Sequence, residues 1–142
     1  MRSILKTVFA TGLALALAAA ASAAELWTPR QAAEAIESGK AVLVDIRTPE
    51  EWKETGVATP ATPIDMTAQD FVPKLKQVLA DNPGKTVAFI CRTGNRSSHL
   101  VAMLEKAGLT NIADVTGGMA GKGTQKGWIA EGLPMRPGCD KC

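Results

Sequence analysis

The stretch Thr86-Val-Ala-Phe-Ile-Cys91-Arg-Thr-Gly-Asn-Arg96-Ser-Ser98 decides the fold, because an apolar run ends on a cysteine and changes at once into a helical pattern. The segment 87–90 predicts a short buried strand, and Ser97 begins a predicted helix that runs to about Ala107. Cys91 is therefore expected at the carboxyl end of a strand, just before a helix. Open α/β sheets bind their ligands at this edge.

The residues between this strand and helix favour an anion at the centre of the loop. Gly94 and Asn95 tolerate a positive φ, so the backbone can turn its N–H groups toward the sulfur. The guanidinium groups of Arg92 and Arg96 and the positive end of the following helix act in the same direction. Because thiolate is the nucleophilic form of cysteine, we interpret Cys91 as an activated nucleophile rather than as a small core residue.

The sequence Cys91-Arg-Thr-Gly-Asn-Arg96-Ser97 after an apolar strand resembles the active-site loop of rhodanese-type sulfurtransferases. Four residues separate the cysteine from the second arginine, whereas related phosphatase loops have five at this place. A loop of six residues suits a single sulfur atom better than a tetrahedral oxyanion. The resemblance implies that Cys91 is catalytic and that the substrate is bound by Arg92, Thr93, Gly94, Asn95, Arg96 and Ser97.

Residues 1–23 have the features of a secretory signal peptide. Arg2 and Lys6 precede an apolar run over 8–20, and Ala21-Ser-Ala23 matches a small-residue cleavage site. The apolar run is short for a membrane span. The sequence therefore predicts a periplasmic or secreted protein, without membrane attachment after cleavage, whose mature domain covers residues 24–142.

The charge of the mature part argues against some partners. The whole chain has 16 basic and 14 acidic residues, and two of the basic residues belong to the predicted signal. The mature part is then balanced in charge, which disfavours nucleic acid or an anionic membrane as the main partner. His99 is the only histidine and is predicted on a solvated helix position, so a Cys-His protease or a histidine metal site is not expected. No metal or organic cofactor is implied.

Strand and helix patterns alternate along the rest of the chain. Helices are predicted after Thr28-Pro29, after Thr48-Pro49 and over 67–80, and a brief strand is expected near Ile64. The continuous apolar run at 41–45 is typical of a strand covered on both faces, and 112–115 is predicted as another strand. This alternation predicts an α/β fold with a mostly parallel central sheet flanked by helices. The resemblance implies the three-layer arrangement of rhodanese-like domains.

The resemblance covers nearly the whole mature chain. Asp45-Ile-Arg47 with Thr48-Pro-Glu-Glu-Trp52 resembles the family pattern D-x-R-x-x-x-E-aromatic, and Gly117-Gly118 with Trp128 resembles its C-terminal signature. Asp45 and Arg47 are interpreted as a structural ion pair. Two departures stand out. Gly56-Val-Ala-Thr59 lacks the usual histidine, and nine residues separate Gly118 from Trp128 where the family typically has three.

The chain ends in Cys139-Asp-Lys-Cys142, a C-x-x-C motif. In an oxidising compartment its default state is a small local disulfide, which leaves Cys91 as the unpaired thiol. A zinc site would need two further ligands that the chain hardly supplies. A functional alternative is that this dithiol accepts sulfur or resolves an oxidised Cys91.

Together these features predict a thiosulfate:cyanide sulfurtransferase without a cofactor. Its substrates are expected to be a small anionic sulfur donor and, as acceptor, cyanide, a thiol or a partner protein. Two alternatives stay open. One is a sulfur-carrier or thiol redox-relay module that docks a partner without turnover, and the other is a cysteine-based phosphatase or arsenate reductase, which the loop length disfavours.

Overall fold

The computed structural model describes residues 23–138. The predicted signal peptide up to residue 22 and the Cys139-Asp-Lys-Cys142 tail lie outside the described residues. Within the described part, no helix is both long enough and apolar enough to cross a membrane.

The chain alternates strands and helices in the order that its patterns predict. The strands are β1 (Glu25–Trp27), β2 (Ala41–Asp45), β3 (Val57–Ala58), β4 (Ala61–Pro63), β5 (Thr86–Ile90), β6 (Ile112–Val115) and β7 (Met135–Arg136). The helices are α1 (Pro29–Glu37), α2 (Pro49–Thr55), α3 (Phe71–Asp81) and α4 (Asn95–Lys106). Thr28 and Thr48 each begin a helix with a capping box followed by proline, as their sequence context predicts.

The main sheet has five strands in the order β1-β6-β5-β2-β4, and its four pairings are all parallel. The strand that leads to the cysteine, β5, is therefore central, with β6 on one side and β2 on the other. The short strands β3 and β7 form a separate antiparallel pair. The predicted α/β fold with a mostly parallel central sheet is confirmed.

Two hydrophobic clusters cover the two faces of the sheet, because successive strand residues point to opposite sides. On one face, Leu43 and Ile90 pack with α1, α2 and the buried Trp128. On the other face, Val44 and Phe89 pack with α3 and α4. We call these the α1/α2 face and the α3/α4 face. A strand covered on both sides explains the continuous apolar runs in the sequence.

Two helix starts differ from the predicted ones, and the short strands β3 and β7 were not predicted. Helix α4 begins at Asn95 rather than Ser97, since Gly94 takes a left-handed conformation with φ 92° and serves as the N-cap. Helix α3 begins at Phe71 rather than Thr67, because Thr67 is held in a turn by two hydrogen bonds to the carboxylate of Asp65. Strand β1 was not predicted at all.

Candidate active site

Cys91 lies directly after the central strand, at the carboxyl edge of the sheet. Its side chain is only 1% exposed and packs on the α3/α4 face. The backbone N–H of Gly94 donates a hydrogen bond to Sγ over 3.1 Å. The positive φ of Gly94 turns this amide back toward the sulfur, so the predicted curling of the loop is present at this residue.

Ser97, in the first turn of α4, supplies the side chain next to the sulfur. Its Oγ lies 3.4 Å from Sγ of Cys91, a separation at which either group can donate the hydrogen bond. The same hydroxyl lies 3.3 Å from the carbonyl oxygen of Gly94. Ser97 is fully buried, so its hydroxyl serves the interior of the loop rather than solvent.

Arg96 does not point freely at the sulfur but forms an ion pair with Glu51 of α2. Its two terminal nitrogens lie 2.6 and 2.8 Å from the two carboxylate oxygens, which is a bidentate geometry. The same carboxylate accepts a hydrogen bond from the backbone N–H of Thr48, which closes the capping box of α2. Glu51 therefore caps α2 and also links the start of that helix to the cysteine loop.

This ion pair determines the charge states on the α2 side of the loop. Burial raises the pKa of Glu51, but the hydrogen bonds from Arg96 and Thr48 and the charges of Arg96 and Arg47 outweigh it and hold that pKa below its usual value. The hydrogen bond to Glu51 raises the pKa of Arg96 against the effect of burial, and the charges of Glu51, Cys91 and Asp45 add to the rise. Both groups are thus charged across the physiological range.

The other predicted loop residues lie at the mouth of the site. Arg92 is exposed and lines a small cavity of about 40 Å³ together with Met119 and Ala120. Thr93 is half-buried, and Asn95 is exposed and accepts a hydrogen bond from the ammonium group of Lys122 over 2.9 Å. The loop therefore presents one exposed guanidinium, that of Arg92, to an approaching anion.

The nine residues 119–127, which we call the insertion, pack directly on the cysteine loop. The backbone N–H groups of Met119 and Ala120 donate to the carbonyl oxygens of Cys91 and Arg92 over 2.9 and 2.8 Å. Gly118 allows this approach, because a Cβ atom there would collide with the carbonyl oxygen of Cys91. Backbone atoms, rather than side chains, therefore form the contact between the insertion and Cys91.

The tip of the insertion is a closed turn. Lys122 and Gln125 exchange two backbone hydrogen bonds of 3.0 Å each. At its base, the N–H of Trp128 donates to the carbonyl oxygen of Gly118 over 2.9 Å. The insertion is thus fixed at both ends, and the ammonium group of Lys122 donates a hydrogen bond to Asn95 at the mouth of the loop.

Asp45 and Arg47 form the buried ion pair that their sequence context predicts. Arg47 is 1% exposed and binds the Asp45 carboxylate through Nε and Nη2, the latter at 2.7 Å. Its remaining donors reach the hydroxyl of Thr55 and the carbonyl oxygen of Gly56 over 2.7 and 2.8 Å. Through these bonds, Arg47 links the end of β2 to the end of α2.

The segment without the usual histidine has become part of the core. Val57 and Ala58 are fully buried and pair with Arg136 and Met135 of β7. A strand pair thus occupies the position of the departure from the family pattern.

Asp114 is a residue near the nucleophile that the sequence motifs did not single out. It lies in β6 at only 3% exposure, and its Oδ1 has no hydrogen-bond partner among residues 23–138. The available signal was a lone carboxylate inside Ile112–Val115, a segment predicted as a strand, because carboxylates are rare at buried positions.

His99 is exposed on α4, as expected. Across residues 23–138, no group of three or more His, Cys, Asp or Glu side chains is arranged to hold a metal ion. The sulfur of Cys91 thus contacts the backbone N–H of Gly94 and the hydroxyl of Ser97, while Arg96 holds the loop from outside through its ion pair with Glu51. Such a site can carry a covalent adduct on sulfur and stabilise its negative charge.

Comparison with known proteins agrees with this geometry. The family model of the rhodanese-like domain matches residues 28–122. The match begins at the cap of α1, includes the whole cysteine loop and ends within the insertion.

Solved structures share the fold and part of the sequence. The crystal structure of Rv0390 from M. tuberculosis is 31% identical, with a TM-score of 0.66, over 82% of this chain and 100% of that one. The polysulfide-sulfur transferase homodimer from Wolinella succinogenes is 26% identical, with a TM-score of 0.58, over 84% and 82%. A Rhodopseudomonas palustris protein of unknown function, described as a possible tyrosine phosphatase, is 26% identical, with a TM-score of 0.57, over 80% and 85%.

Proposed function

Since this chain belongs to the rhodanese-like domain family, we propose that it is a sulfurtransferase that carries sulfane sulfur as a persulfide on Cys91. The observation that carries this proposal is the six-residue loop from Cys91 to Arg96, whose Gly94 amide donates to the sulfur over 3.1 Å. A similar structure described as a polysulfide-sulfur transferase supports the same class of reaction.

The first half-reaction loads the enzyme. The Cys91 thiolate attacks the outer sulfur of thiosulfate or a similar donor and forms a new S–S bond. The S–S bond of the donor breaks, and sulfite leaves with the bonding electron pair. The product is a Cys91 persulfide anion whose charge the N–H of Gly94 and the amino end of α4 stabilise.

The second half-reaction transfers the outer sulfur from the Cys91 persulfide to an acceptor. Cyanide or a thiolate attacks the outer sulfur of the persulfide, and the Cys91 thiolate leaves with the electron pair. Thiocyanate or a new persulfide is released, and the enzyme returns to its starting state. No metal or organic cofactor takes part in either half.

The arginines have different parts in this reaction. Arg92 is exposed at the mouth and attracts the anionic donor. Arg96 is occupied by Glu51 and holds the loop in shape while its charge acts on the sulfur at a distance. Both arginines were predicted from the sequence to bind substrate, and the ion pair is the reason for dividing the roles.

A phosphatase or arsenate reductase activity is the weaker candidate. A neighbour described as a possible tyrosine phosphatase has the same fold. The loop of this chain nevertheless has one residue fewer between its cysteine and arginine than a phosphate cradle, and its Arg96 is already paired with a carboxylate. Both features leave less room and less positive charge for a tetrahedral oxyanion.

The place of action proposed here is the periplasm or the cell exterior. The support is the sequence of residues 1–23, with two basic residues, an apolar run and an A-x-A site. In that setting the Cys139-Asp-Lys-Cys142 motif offers a second pair of thiols. A relay module that passes sulfur or electrons to a partner protein is the alternative that this tail favours.

Intact mass after incubation with thiosulfate tests the proposal. The mature protein should gain the mass of one sulfur atom, and cyanide should remove it. Cys91→Ser should not gain this mass and should retain no more than about 1% of thiosulfate:cyanide turnover, because covalent catalysis is lost with the nucleophile.

The matched control replaces both Cys139 and Cys142 by serine. If Cys91 alone carries the sulfur, this variant loads and turns over with cyanide like the wild type. A persulfide that appears in Cys91→Ser, or turnover of more than a few per cent in that variant, would contradict the assignment. Loading without turnover on small acceptors would favour the relay.

A further inference from the structure

Lys122 is an exposed residue of the insertion whose side chain reaches the cysteine loop. Its ammonium group donates a hydrogen bond to Oδ1 of Asn95 over 2.9 Å. Asn95 directly follows Gly94, whose N–H donates to the sulfur of Cys91 over 3.1 Å. The ammonium group is therefore bound to the residue next to the amide that contacts the nucleophile.

The turn that carries Lys122 is held in place by bonds that do not involve the lysine side chain. Just before the turn, the N–H of Ala120 donates to the carbonyl oxygen of Arg92 over 2.8 Å. Two backbone hydrogen bonds of 3.0 Å close the turn between Lys122 and Gln125. The side-chain amide of Gln125 donates to the hydroxyl of Thr116 over 2.5 Å. The position of the turn is thus set without the bond from the ammonium group.

The charge of Lys122 has no counter-ion in the described part of the chain. None of the ion pairs found among residues 23–138 includes it, and its hydrogen-bond acceptor is the neutral amide of Asn95. Asn95 is the first residue of α4, where the helix dipole is positive, and the same loop carries the exposed guanidinium of Arg92. A cation at this end of a helix is repelled by the dipole. Stability alone would favour a neutral donor at this position, so the positive charge indicates an anionic ligand.

The site must also accommodate the part of the donor that leaves. A thiolate displaces its leaving group in line, so the leaving group points away from the attacking sulfur. Because Cys91 is only 1% exposed, that direction is outward through the mouth of the loop. With a near-attack separation of about 3–3.5 Å and an S–S bond of about 2 Å, the sulfur of a leaving sulfonate lies roughly 5–6 Å from Sγ. Its oxygens then face the mouth, where Asn95 and Lys122 lie.

We propose that Lys122 and the side-chain amide of Asn95 form a subsite for the sulfonate group of the donor. The inference rests on the sulfurtransferase function proposed above and names its donor class, which is thiosulfate and related thiosulfonates. The ammonium group has further N–H donors besides the one that Asn95 accepts. Because an ammonium group only donates, its bond to Oδ1 orients the amide. Nδ2 of Asn95 then has no partner among residues 23–138 and is available to the sulfonate oxygens.

The subsite acts on the step that breaks the donor. As the Cys91 thiolate forms a bond to the outer sulfur, the S–S bond of thiosulfate breaks and sulfite leaves with the bonding electron pair. Negative charge therefore grows on the sulfonate group, where the ammonium group of Lys122 stabilises it. The flexible stem of the lysine lets its ammonium group move from Asn95 onto the oxyanion. Lys122 is thus a specificity-determining residue for the donor and is not needed for the reactivity of the thiol.

Alkylation of Cys91 by iodoacetate and by iodoacetamide tests the subsite without a sulfur donor. The two reagents have nearly the same size and the same leaving group, but only iodoacetate carries a negative charge. Glutamine in Lys122→Gln keeps an N–H donor for Asn95 and removes the positive charge. We expect this variant to react about fivefold more slowly with iodoacetate, the loss of one charge contact near water, and at the wild-type rate with iodoacetamide.

Lys126→Gln is the matched control, because it removes the same charge from another exposed position of the insertion. Within residues 23–138, the side chain of Lys126 has no hydrogen bond to the cysteine loop. The control should slow iodoacetate by less than about twofold, since a charge away from the reagent is screened by salt. Lys122→Arg keeps the charge and should restore most of the iodoacetate rate.

Equal slowing of both reagents in Lys122→Gln would overturn the proposal, because the lysine would then act on the sulfur rather than on the anion. Equal effects of Lys122→Gln and Lys126→Gln would also overturn it, since only the net charge would matter.

The rate at which thiosulfate loads sulfur onto Cys91, followed by intact mass, tests the same subsite in the proposed reaction. Lys122→Gln should load at least about fivefold more slowly than the wild type, and Lys126→Gln should load nearly as fast as the wild type. If the iodoacetate effect appears but thiosulfate loads no sulfur onto the wild type, the anion subsite stands and the proposed function fails. If thiosulfate loads the wild type and Lys122→Gln at the same rate, the proposed function stands and the subsite fails.

Discussion

Two buried aspartates stand on either side of the cysteine strand and differ in how they are satisfied. Asp45 ends β2 on the α1/α2 face, and Asp114 lies in β6 on the α3/α4 face. Their exposures, 0% and 3%, are almost the same. Asp45 binds the guanidinium of Arg47 through both carboxylate oxygens, whereas the Oδ1 of Asp114 has no hydrogen-bond partner among residues 23–138.

The difference teaches that burial alone does not fix what a carboxylate does. A buried charge that is fully paired has a structural role. Removing either partner leaves the other charge buried without compensation and destabilises the fold. A buried carboxyl group that is only partly satisfied can change its protonation state at little structural cost. Asp45 is of the first kind and Asp114 is of the second.

Asp45→Asn should have the largest effect on stability. The variant leaves the guanidinium of Arg47 buried without its counter-ion, which costs about 3–5 kcal/mol in the free energy of unfolding. Urea unfolding at neutral pH measures this cost. Asp114→Asn is the matched comparison and should cost far less, since it strands no opposite charge. Equal losses of stability in the two variants would contradict the distinction between a paired and an unpaired buried carboxylate.

The pH dependence of stability should sharpen the comparison at Asp114. Its raised pKa means that its contribution to stability is present below the ordinary carboxyl value of 3.8 and is lost as the pH rises through the raised pKa. Asp114→Asn should therefore gain relative stability with rising pH, by about 1 kcal/mol, the order expected for a buried unsatisfied group. Urea unfolding of wild type and variant across this pH range measures the difference. A pH-independent difference would show that Asp114 does not titrate in the folded state.

Glu51→Gln should have the smallest effect and the opposite pH trend. Because the pKa of Glu51 is lowered, its contribution is present above the ordinary value of 4.5 and is lost as the pH falls through the lowered pKa. The Glu51–Arg96 pair is partly exposed, with side chains 16% and 33% accessible, so the loss at neutral pH should be about 0.5–1 kcal/mol. Wild type and variant should converge in acid, and a gap that stays constant down to low pH would contradict the charge-based explanation.

The sequence was sufficient for the elements whose own pattern decides their structure. Strands β2, β5 and β6 are continuous apolar runs, and the Thr-Pro caps begin α1 and α2 at the expected residues. Strand β1 was not predicted, because three residues are too few to show an alternation of polar and apolar side chains. Its Leu26 is 70% exposed, and only the pairing with β6 makes it a strand. Elements defined by a distant partner are not visible in local patterns.

The residues of the cysteine loop could be predicted from the sequence, but their contacts with distant parts of the chain could not. A cysteine, two arginines and a glycine in one loop predict the cradle, since their chemistry is local. The pairing of Arg96 with Glu51 spans 45 residues, and the position of Asp114 beside β5 depends on the register of two parallel strands. Neither relation has a sequence signature. The one local signal at Asp114 is a single carboxylate within a predicted strand.

The doubly fixed insertion makes the entrance of the site separable from its chemistry. Its first residues bond to the backbone of the cysteine loop, and the N–H of Trp128 closes its base on Gly118. The turn between Lys122 and Gln125 contacts the loop through the hydrogen bond from Lys122 to Asn95. Its four residues are exposed or half-exposed, so their side chains can vary at the entrance while the backbone bonds to Cys91 and Arg92 stay in place.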